Sequence, residues 1–158
     1  MAHLKQTTFI QVPVDALNDI VRDPHRWPEF MVGLSGPVRV FGDGSPGTKA
    51  EFVQSMMGMQ LRVVDRTVEE RHNEDGSTDW RWEFEGSTWG WITCHHEPRD
   101  GGTEATTDYD YALPGSVLGK VADRLLIEKR VRRDFEDSLE NLKLLAESIV
   151  STPAAATA

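Results

Sequence analysis

Residues 80–97, Trp-Arg-Trp-Glu-Phe-Glu-Gly-Ser-Thr-Trp-Gly-Trp-Ile-Thr-Cys-His-His-Glu, alternate large aromatic and polar side chains around a short glycine turn. A period of two is typical of β-strands with one buried face. The pair Gly86-Ser87 predicts a two-residue hairpin loop between two such strands. With this register one face of the hairpin carries five aromatic rings, and we expect it to point inward: Trp80, Trp82, Phe84, Trp89 and Trp91.

The two neighbouring hairpins extend this face. A three-residue loop at 100–102 places Tyr109 opposite Thr93 and Tyr111 opposite Trp91, with His95 on the same face. The hairpin before it turns at Gly58-Met59. Its inner face is mostly apolar, although one carboxylate also falls on it: Phe52, Gln54, Met56, Leu61, Val63 and Asp65.

Working outward, the pattern predicts strands over 4–12, 38–41, 48–57, 60–71, 79–85, 88–97 and 103–113. Two short helices follow the first strand, at 15–22 and after the capping pair Asp23-Pro24. Residues 116–149 contain strong helix formers and no proline, which predicts one long helix with an apolar stripe that includes Val117, Val121, Leu125, Phe135, Leu139, Leu142 and Ile149. The predicted fold class is therefore α+β, a curved seven-stranded antiparallel sheet covered by a C-terminal helix.

Composition excludes several classes of protein. The 158 residues carry a net charge of −9, which argues against general nucleic-acid binding. The single cysteine, Cys94, excludes an intrachain disulfide and a cysteine-rich zinc site. No apolar run has the length of a membrane span, and the N-terminus has no apolar signal region, so we expect a cytoplasmic protein. We predict one domain over 1–150 and a disordered Ser, Thr, Pro and Ala tail over 151–158.

The aromatic face has two interpretations. It could be a packed core, since large rings fill space well. We favour a partly open cavity under the long helix, because tyrosine hydroxyls and indole N–H groups need partners when buried and a bound ligand supplies them. Trp27 and Phe30, on the second short helix, are expected to cover one end. The candidate ligand-binding residues are Trp27, Phe30, Phe52, Met56, Trp80, Trp82, Phe84, Trp89, Trp91, Thr93, Tyr109, Tyr111 and Leu125.

The order of several short motifs resembles a known superfamily over about residues 4–147. The chain is similar to the START-like, or SRPBCC, helix-grip proteins, which include the birch-pollen allergen type, and especially to their polyketide cyclase/dehydrase-like and coenzyme Q-binding-like branches. The resemblance implies an internal cavity for a hydrophobic small molecule, and it implies no shared catalytic motif. The motifs are Val12-Pro13-Val14-Asp15, residues 23–30 (Asp-Pro-His-Arg-Trp-Pro-Glu-Phe), Gly47-Thr48, Gly101-Gly102-Thr103, residues 110–115 (Asp-Tyr-Ala-Leu-Pro-Gly) and residues 139–143 (Leu-Glu-Asn-Leu-Lys).

Candidate catalytic groups are few. His95, if it faces inward, is a candidate acid/base group near Tyr109 and Tyr111, and Arg132 on the long helix is a candidate for orienting a ligand carbonyl. The adjacent pair His95-His96 points to opposite faces of a strand and cannot bind one metal ion, so we predict no metal site and no cofactor.

A basic cluster begins the long helix. Residues 120–133 contain six basic and two acidic side chains, a local charge of +4 in an otherwise acidic chain. This asymmetry is consistent with weak contact to an anionic surface, and equally with a solvated helix face. The cluster includes Lys129, Arg130, Arg132 and Arg133.

Three functions follow from these observations. The first is binding or carriage of a lipid, quinone or polyketide-like aromatic molecule, because the predicted cavity is lined without a readable catalytic set. The second is an aromatase/cyclase or dehydrase acting on a poly-keto chain, which needs little beyond shape, hydroxyl and imidazole groups and excluded water. The third is a protein–protein interaction module. The oligomeric state cannot be deduced from these residues.

Overall fold

The computed structural model describes residues 1–113, 115–119 and 123–151. Its seven strands are β1 (Ala2–Ile10), β2 (Leu34–Phe41), β3 (Lys49–Met56), β4 (Met59–His72), β5 (Thr78–Gly86), β6 (Trp89–Arg99) and β7 (Gly102–Ala112). Its helices are α1 (Val14–Arg22), a 3-10 helix (Pro24–Glu29), α2 (Gly115–Leu118) and α3 (Arg124–Ser151). The strands form one antiparallel sheet in the order β1-β7-β6-β5-β4-β3-β2. The predicted α+β class and curved seven-stranded sheet with a long C-terminal helix are confirmed.

The segment after β1 closes one end of the space between sheet and helix. Pro13 precedes α1, and the Asp23 carboxylate accepts the backbone N–H of His25 at 3.0 Å, which caps the 3-10 helix. The indole Nε1–H of Trp27 donates to the carbonyl of Val21 at 3.0 Å, so its ring is held over the inner face of the sheet. Trp27 and Phe30 are both buried, as expected for residues that cover an end of the interior.

The hairpin between β3 and β4 has the predicted inner face. Its turn is Met57-Gly58, one residue earlier than expected, with φ angles of 49° and 79°. Two successive positive φ angles are what a two-residue hairpin loop requires. Because the pairing differs by two residues from the predicted one, the faces are unchanged, and Phe52 lies opposite Val63.

The register predicted for β6 is wrong by one residue. Trp82 pairs with Ile92, and Tyr109 pairs with the same residue from the other side. Four side chains predicted to point inward therefore lie on the outer face of the sheet, and the inner face of β6 carries the intervening residues instead. The four are Trp89, Trp91, Thr93 and His95; the inner residues are Gly90, Ile92, Cys94 and His96.

Both loops that flank β6 cause this shift. Gly86 remains paired with β4, and the Ser87 N–H donates to the carbonyl of Arg62 at 2.9 Å, so the β5–β6 loop needs Thr88 as a third residue. The β6–β7 loop has two residues rather than three, Asp100 and Gly101, with φ angles of 49° and 77°. The β5–β6 loop is one residue longer than predicted and the β6–β7 loop is one residue shorter. The two differences cancel beyond β6, so only β6 presents the opposite face to the interior.

The predicted helix over 116–149 is interrupted. The Gly119 N–H donates to the carbonyl of Gly115 at 2.7 Å at the end of α2. The Asp123 carboxylate then accepts the N–H of Leu125 at 2.9 Å, which caps α3. Leu125 lies in the first turn of α3 and is 65% exposed, so its predicted place in the buried stripe is wrong, and Ile149 is also exposed. The buried face of α3 carries Ile127, Val131, Leu142 and Ala146.

The predicted C-terminal tail and two residues of the predicted helix stripe lie mostly outside the part of the chain that the structure describes. Ser151 is the last residue of α3, and the division into a domain over 1–150 and a tail stays a prediction. The rest of the predicted tail, 152–158, lies outside the described residues, as do Val121 and the side chain of Val117.

Candidate functional site

A cavity of about 210 Å³ lies between the inner face of the sheet and α3. Strands β1 and β3 to β7, helix α1, the 3-10 helix and α3 all contribute to its wall. The lining is dominated by apolar and aromatic groups, which is typical of a small-molecule site. Its aromatic residues are Trp27, Phe30, Phe52, Trp82, Phe84, Tyr109, Tyr111 and Phe135.

The rings on β5, β7 and α3 form a continuous wall. Tyr109 stacks on Tyr111 at a centroid distance of 4.9 Å and on Phe135 at 5.7 Å, with Phe84 at 5.8 Å. Because burial disfavours the charged phenolate, the pKa of Tyr109 is raised, and that hydroxyl keeps its proton. Burial also raises the pKa of the Cys94 thiol to about 12, so the thiol is no nucleophile at neutral pH.

A polar network centred on Asn18 lies at the end of the cavity near α1. The Asn18 Oδ1 accepts from Trp80 Nε1 at 3.0 Å and from His96 Nδ1 at 2.8 Å. The Asn18 Nδ2 donates to Thr78 Oγ1 at 2.9 Å. Because the Nδ1–H of His96 donates to Asn18 Oδ1, Nε2 is the unprotonated ring nitrogen that remains for an acceptor role. Desolvation lowers the pKa of His96 to about 4, with a further contribution from His95, so the ring is neutral near pH 7.

Two polar groups in the cavity wall lack partners. The side chain of Asp65 is buried on β4 with its Oδ1 unpaired, and the buried Nε1–H of Trp82 on β5 is unpaired as well. Desolvation raises the pKa of Asp65 to about 8, so its carboxyl group is mostly protonated at pH 7. Within the described part of the chain these are the buried side-chain polar atoms without a hydrogen bond.

Eight of the predicted ligand-binding residues line the cavity: Trp27, Phe30, Phe52, Met56, Trp82, Phe84, Tyr109 and Tyr111. Trp80 is buried beside the cavity on the same face of β5 as Trp82, on which it stacks at 5.0 Å. Phe52 and Met56 lie on the inner face of β3, and Tyr109 and Tyr111 lie on the inner face of β7.

The remaining predicted site residues lie away from the cavity. Trp89 is 50% exposed, and Trp91 packs against the Arg81 guanidinium on the outer face. His95 is partly exposed, with Nδ1 2.6 Å from the carboxylate of Asp79. Thr93 shares that outer face, and Leu125 and Arg132 are exposed on α3. Their predicted inward positions are wrong because β6 is rotated, and because Leu125 and Arg132 lie on the exposed side of α3 and not on the buried face of Ile127 and Val131.

The sequence analysis missed the most informative polar residues. His96 was predicted outward because of the β6 register, and Asn18 gave no signal beyond its place on a short amphipathic helix. Asp65 did give a signal, since a carboxylate on an otherwise apolar face of a strand must be either paired or functional.

Neither a metal site nor a membrane span is found in the described ranges. Residues 1–113, 115–119 and 123–151 hold no cluster of three potential metal ligands. No helix within these ranges is both long and apolar enough to cross a bilayer. The basic side chains at the start of α3 are exposed but partly neutralised, since Arg130 pairs with Asp134 at 2.8 Å and Arg133 lies 3.8 Å from Asp137.

Comparison with known proteins identifies relatives at the level of family and fold. A family model described as polyketide cyclase/dehydrase and lipid transport matches residues 1–147. No curated protein matches the sequence.

Solved structures share the fold at low sequence identity. Human StAR-related lipid transfer protein 5 is 11% identical with a TM-score of 0.75, over 94% of this chain and 76% of that one. The Zhui aromatase/cyclase from Streptomyces sp. R1128 is 16% identical with a TM-score of 0.69, over 97% and 98%. A protein from Thermus thermophilus is 19% identical with a TM-score of 0.72, over 95% and 100%. These likenesses confirm the helix-grip fold, and the family match over residues 1–147 agrees with the superfamily that the sequence motifs indicated.

Proposed function

Because the chain belongs to the polyketide cyclase/dehydrase and lipid transport family, we propose that it binds a compact hydrophobic molecule between the sheet and α3. The observation that carries this proposal is the cavity of about 210 Å³ with its aromatic wall. The family and its structural neighbours support a hydrophobic ligand-binding or cyclase-like protein, and the cavity geometry favours the first.

The size of the cavity restricts the ligand. Pockets for drug-sized molecules have volumes of about 300–1,000 Å³, whereas a cavity of about 150 Å³ is enough for benzene. A volume between these values suits a molecule of one or two fused rings better than a long acyl or isoprenoid chain. Among lipids, quinones and polyketide-like aromatics, the last class fits this volume best.

Filling the cavity from α3 tests the proposal. Leu139 lines the cavity, whereas its neighbour Glu140 is exposed on the same helix. We expect Leu139→Trp to weaken binding of 2-methylnaphthalene at least tenfold, because the indole occupies the space of the probe, and Glu140→Trp to leave binding within twofold of wild type. Probe fluorescence measures both constants. Equal affinities for all three proteins, or no binding by any of them, would refute the proposed site.

Native mass spectrometry of gently purified protein provides a complementary measurement. We expect a mass above that of the chain by a few hundred daltons at most, lost on denaturation, because a cavity of this size holds a small guest. The Leu139→Trp variant should carry less of it than the Glu140→Trp variant. If both variants retained the same amount of the bound molecule, that molecule would lie outside the cavity.

An aromatase/cyclase or dehydrase is the second candidate. Tyr109 and Tyr111 retain their place in the wall as hydroxyl donors, whereas His95 and Arg132 lie outside. The buried acid and base, Asp65 and His96, pair with positions six residues apart on β5, a distance of about 20 Å along the strand. This separation along the strand disfavours joint action on one reacting atom, so we rank binding above catalysis.

Turnover distinguishes the two functions. If the protein cyclises a poly-β-keto thioester, we expect Tyr109→Phe to lower the rate of product formation at least tenfold through loss of a proton donor. His95→Ala is the matched control, since His95 lies on the outer face of the sheet, and it should leave the rate unchanged. Equal rates for the wild type and both variants would remove the catalytic candidate.

Contact with an anionic surface through Lys129, Arg130, Arg132 and Arg133 remains a weaker part of the proposal. Its support is that all four side chains are exposed and that Leu125 and Leu126 are exposed beside them. The Arg130 and Arg133 ion pairs reduce the charge available for such a contact.

A further inference from the structure

Within the described residues, Asp65 and Trp82 are the cavity-wall residues whose fully buried side-chain polar atoms lack a hydrogen bond. Asp65 is 5% exposed and Trp82 equally so, and each carries a buried atom without a hydrogen bond, the acceptor Oδ1 and the donor Nε1–H. Buried polar groups in native proteins are almost always paired, and exceptions need an explanation. The Asn18 network beside the cavity shows the usual case, since its buried Trp80 Nε1, His96 Nδ1 and Thr78 Oγ1 are all hydrogen-bonded to Asn18.

The two groups occupy neighbouring positions on paired strands. Asp65 lies opposite Phe84, and Trp82 lies two residues from Phe84 on the same face of β5. Such diagonal neighbours in an antiparallel pair are separated by about 7–8 Å. Side chains as long as Asp and Trp can therefore reach one small group placed between them.

The chemistry of the pair selects the ligand group. The indole N–H only donates, so the ligand atom beside it must accept a hydrogen bond. An ammonium group has no lone pair for Trp82. A carbonyl or carboxylate oxygen would accept from Trp82, but it offers no proton to Asp65 Oδ1, which remains an acceptor when the carboxyl proton is on Oδ2. A hydroxyl accepts from Trp82 through its oxygen and donates its proton to Asp65 Oδ1, so it satisfies both groups at once.

We propose that Asp65 and Trp82 form a recognition site for the hydroxyl group of a compact, otherwise apolar ring compound. This inference rests on the proposed function and adds the identity of the polar group that the ligand carries. The aromatic wall of Tyr109, Tyr111 and Phe135 would contact the apolar part of the same molecule.

The test compares two probes that differ only at this group, 2-naphthol and 2-methylnaphthalene, on wild type, Asp65→Leu and Trp82→Phe at pH 6. The quantity measured is the ratio of the two dissociation constants for each protein. We expect the preference for 2-naphthol to fall about tenfold in each variant, because each loses one hydrogen-bonding partner. Binding of 2-methylnaphthalene shows that each variant is folded with an accessible cavity, and changes in cavity shape cancel in the ratio.

The outcomes separate this inference from the proposed function. If both probes bind and the ratio is the same in all three proteins, the pair recognises no hydroxyl and holds water only, so the inference is overturned while cavity binding stands. If neither probe binds the wild type, the proposed function fails and the inference fails with it. If the preference for 2-naphthol falls in both the Asp65→Leu and the Trp82→Phe variant, the result supports the hydroxyl site and the proposed function.

Discussion

Replacing Asn18 with leucine should lower the free energy of unfolding by about 4 kcal/mol. Asn18 is fully buried and is the shared partner of Trp80 Nε1, His96 Nδ1 and Thr78 Oγ1, at 2.8–3.0 Å. Leucine has similar size but leaves these groups without their partner, and each orphaned buried group costs about 1–3 kcal/mol. Because leucine largely retains the packing, the decrease in the free energy of unfolding measures the contribution of the hydrogen-bond network.

Urea-induced unfolding of wild type and variant provides the measurement. The matched control is Asp19→Leu on the same helix, where the replaced carboxylate is exposed and bonded to Arg22 at 3.1 Å. We expect the control to change the free energy of unfolding by less than about 0.5–1 kcal/mol. Similar effects of the two substitutions would show that the Asn18 hydrogen bonds contribute no more to stability than a surface ion pair.

The predicted strands were largely correct because alternation is a local property of the sequence. Which face points inward across a hairpin is decided elsewhere, by the number of residues in the loop. For β6 that number depended on a long-range hydrogen bond, from the Ser87 N–H to Arg62 on β4, and on positive φ angles at Asp100 and Gly101. No pattern within the hairpin itself carries that information.

The predicted β5–β6 and β6–β7 hairpins placed the same face of β6 inward, and this agreement was misleading for the same reason. Both loop lengths were wrong, and because β6 is shared, their errors gave one consistent but rotated strand. The predicted inner faces of β5 and β7 were correct, so Trp82, Phe84, Tyr109 and Tyr111 were predicted to line the cavity, as they do. On β6 the prediction placed His95 on the inner face, where the structure has His96. An independent constraint would have been Gly90, since a glycine between two tryptophans marks a close backbone approach. A Cβ at that position would lie 2.0 Å from the Asp110 carbonyl oxygen.

The polar features of the site depend on tertiary contacts that periodicity does not encode. Asn18 and His96 are 78 residues apart and meet only because α1 packs across the inner end of the sheet. Asp65 was placed on the correct face, yet the absence of a partner for its carboxyl group became visible only with every neighbour in position. An unpaired acid of this kind reduces stability, and that cost can be measured through its dependence on pH.

Asp65→Asn should stabilise the protein by about 4 kcal/mol at pH 7 and change its stability little at pH 4. Burial raises the pKa of Asp65 from 3.8 to about 8 in the folded state. The folded state therefore holds a proton that the unfolded state releases above pH 4, so the stability of the wild type falls as pH rises toward 8, by about 1.4 kcal/mol per pH unit. Asparagine has nearly the same shape and cannot ionise, which removes this decline.

The measurement is the difference in the free energy of unfolding between variant and wild type at several pH values from 4 to 8. Taking the difference cancels other titrating groups, including His96, whose lowered pKa makes stability rise with pH between about 4 and 6.5. Asp79→Asn gives a control of opposite sign: although desolvation raises the pKa of Asp79, hydrogen bonds from Asn73, Arg71 and His95 hold it at about 2. That variant should be less stable than wild type by a nearly constant amount from pH 5 to 8, and measurements extended below pH 4 should show this deficit shrink as pH falls toward about 2. A constant difference for Asp65→Asn across this range would mean that Asp65 is ionised in the folded protein and has a partner after all.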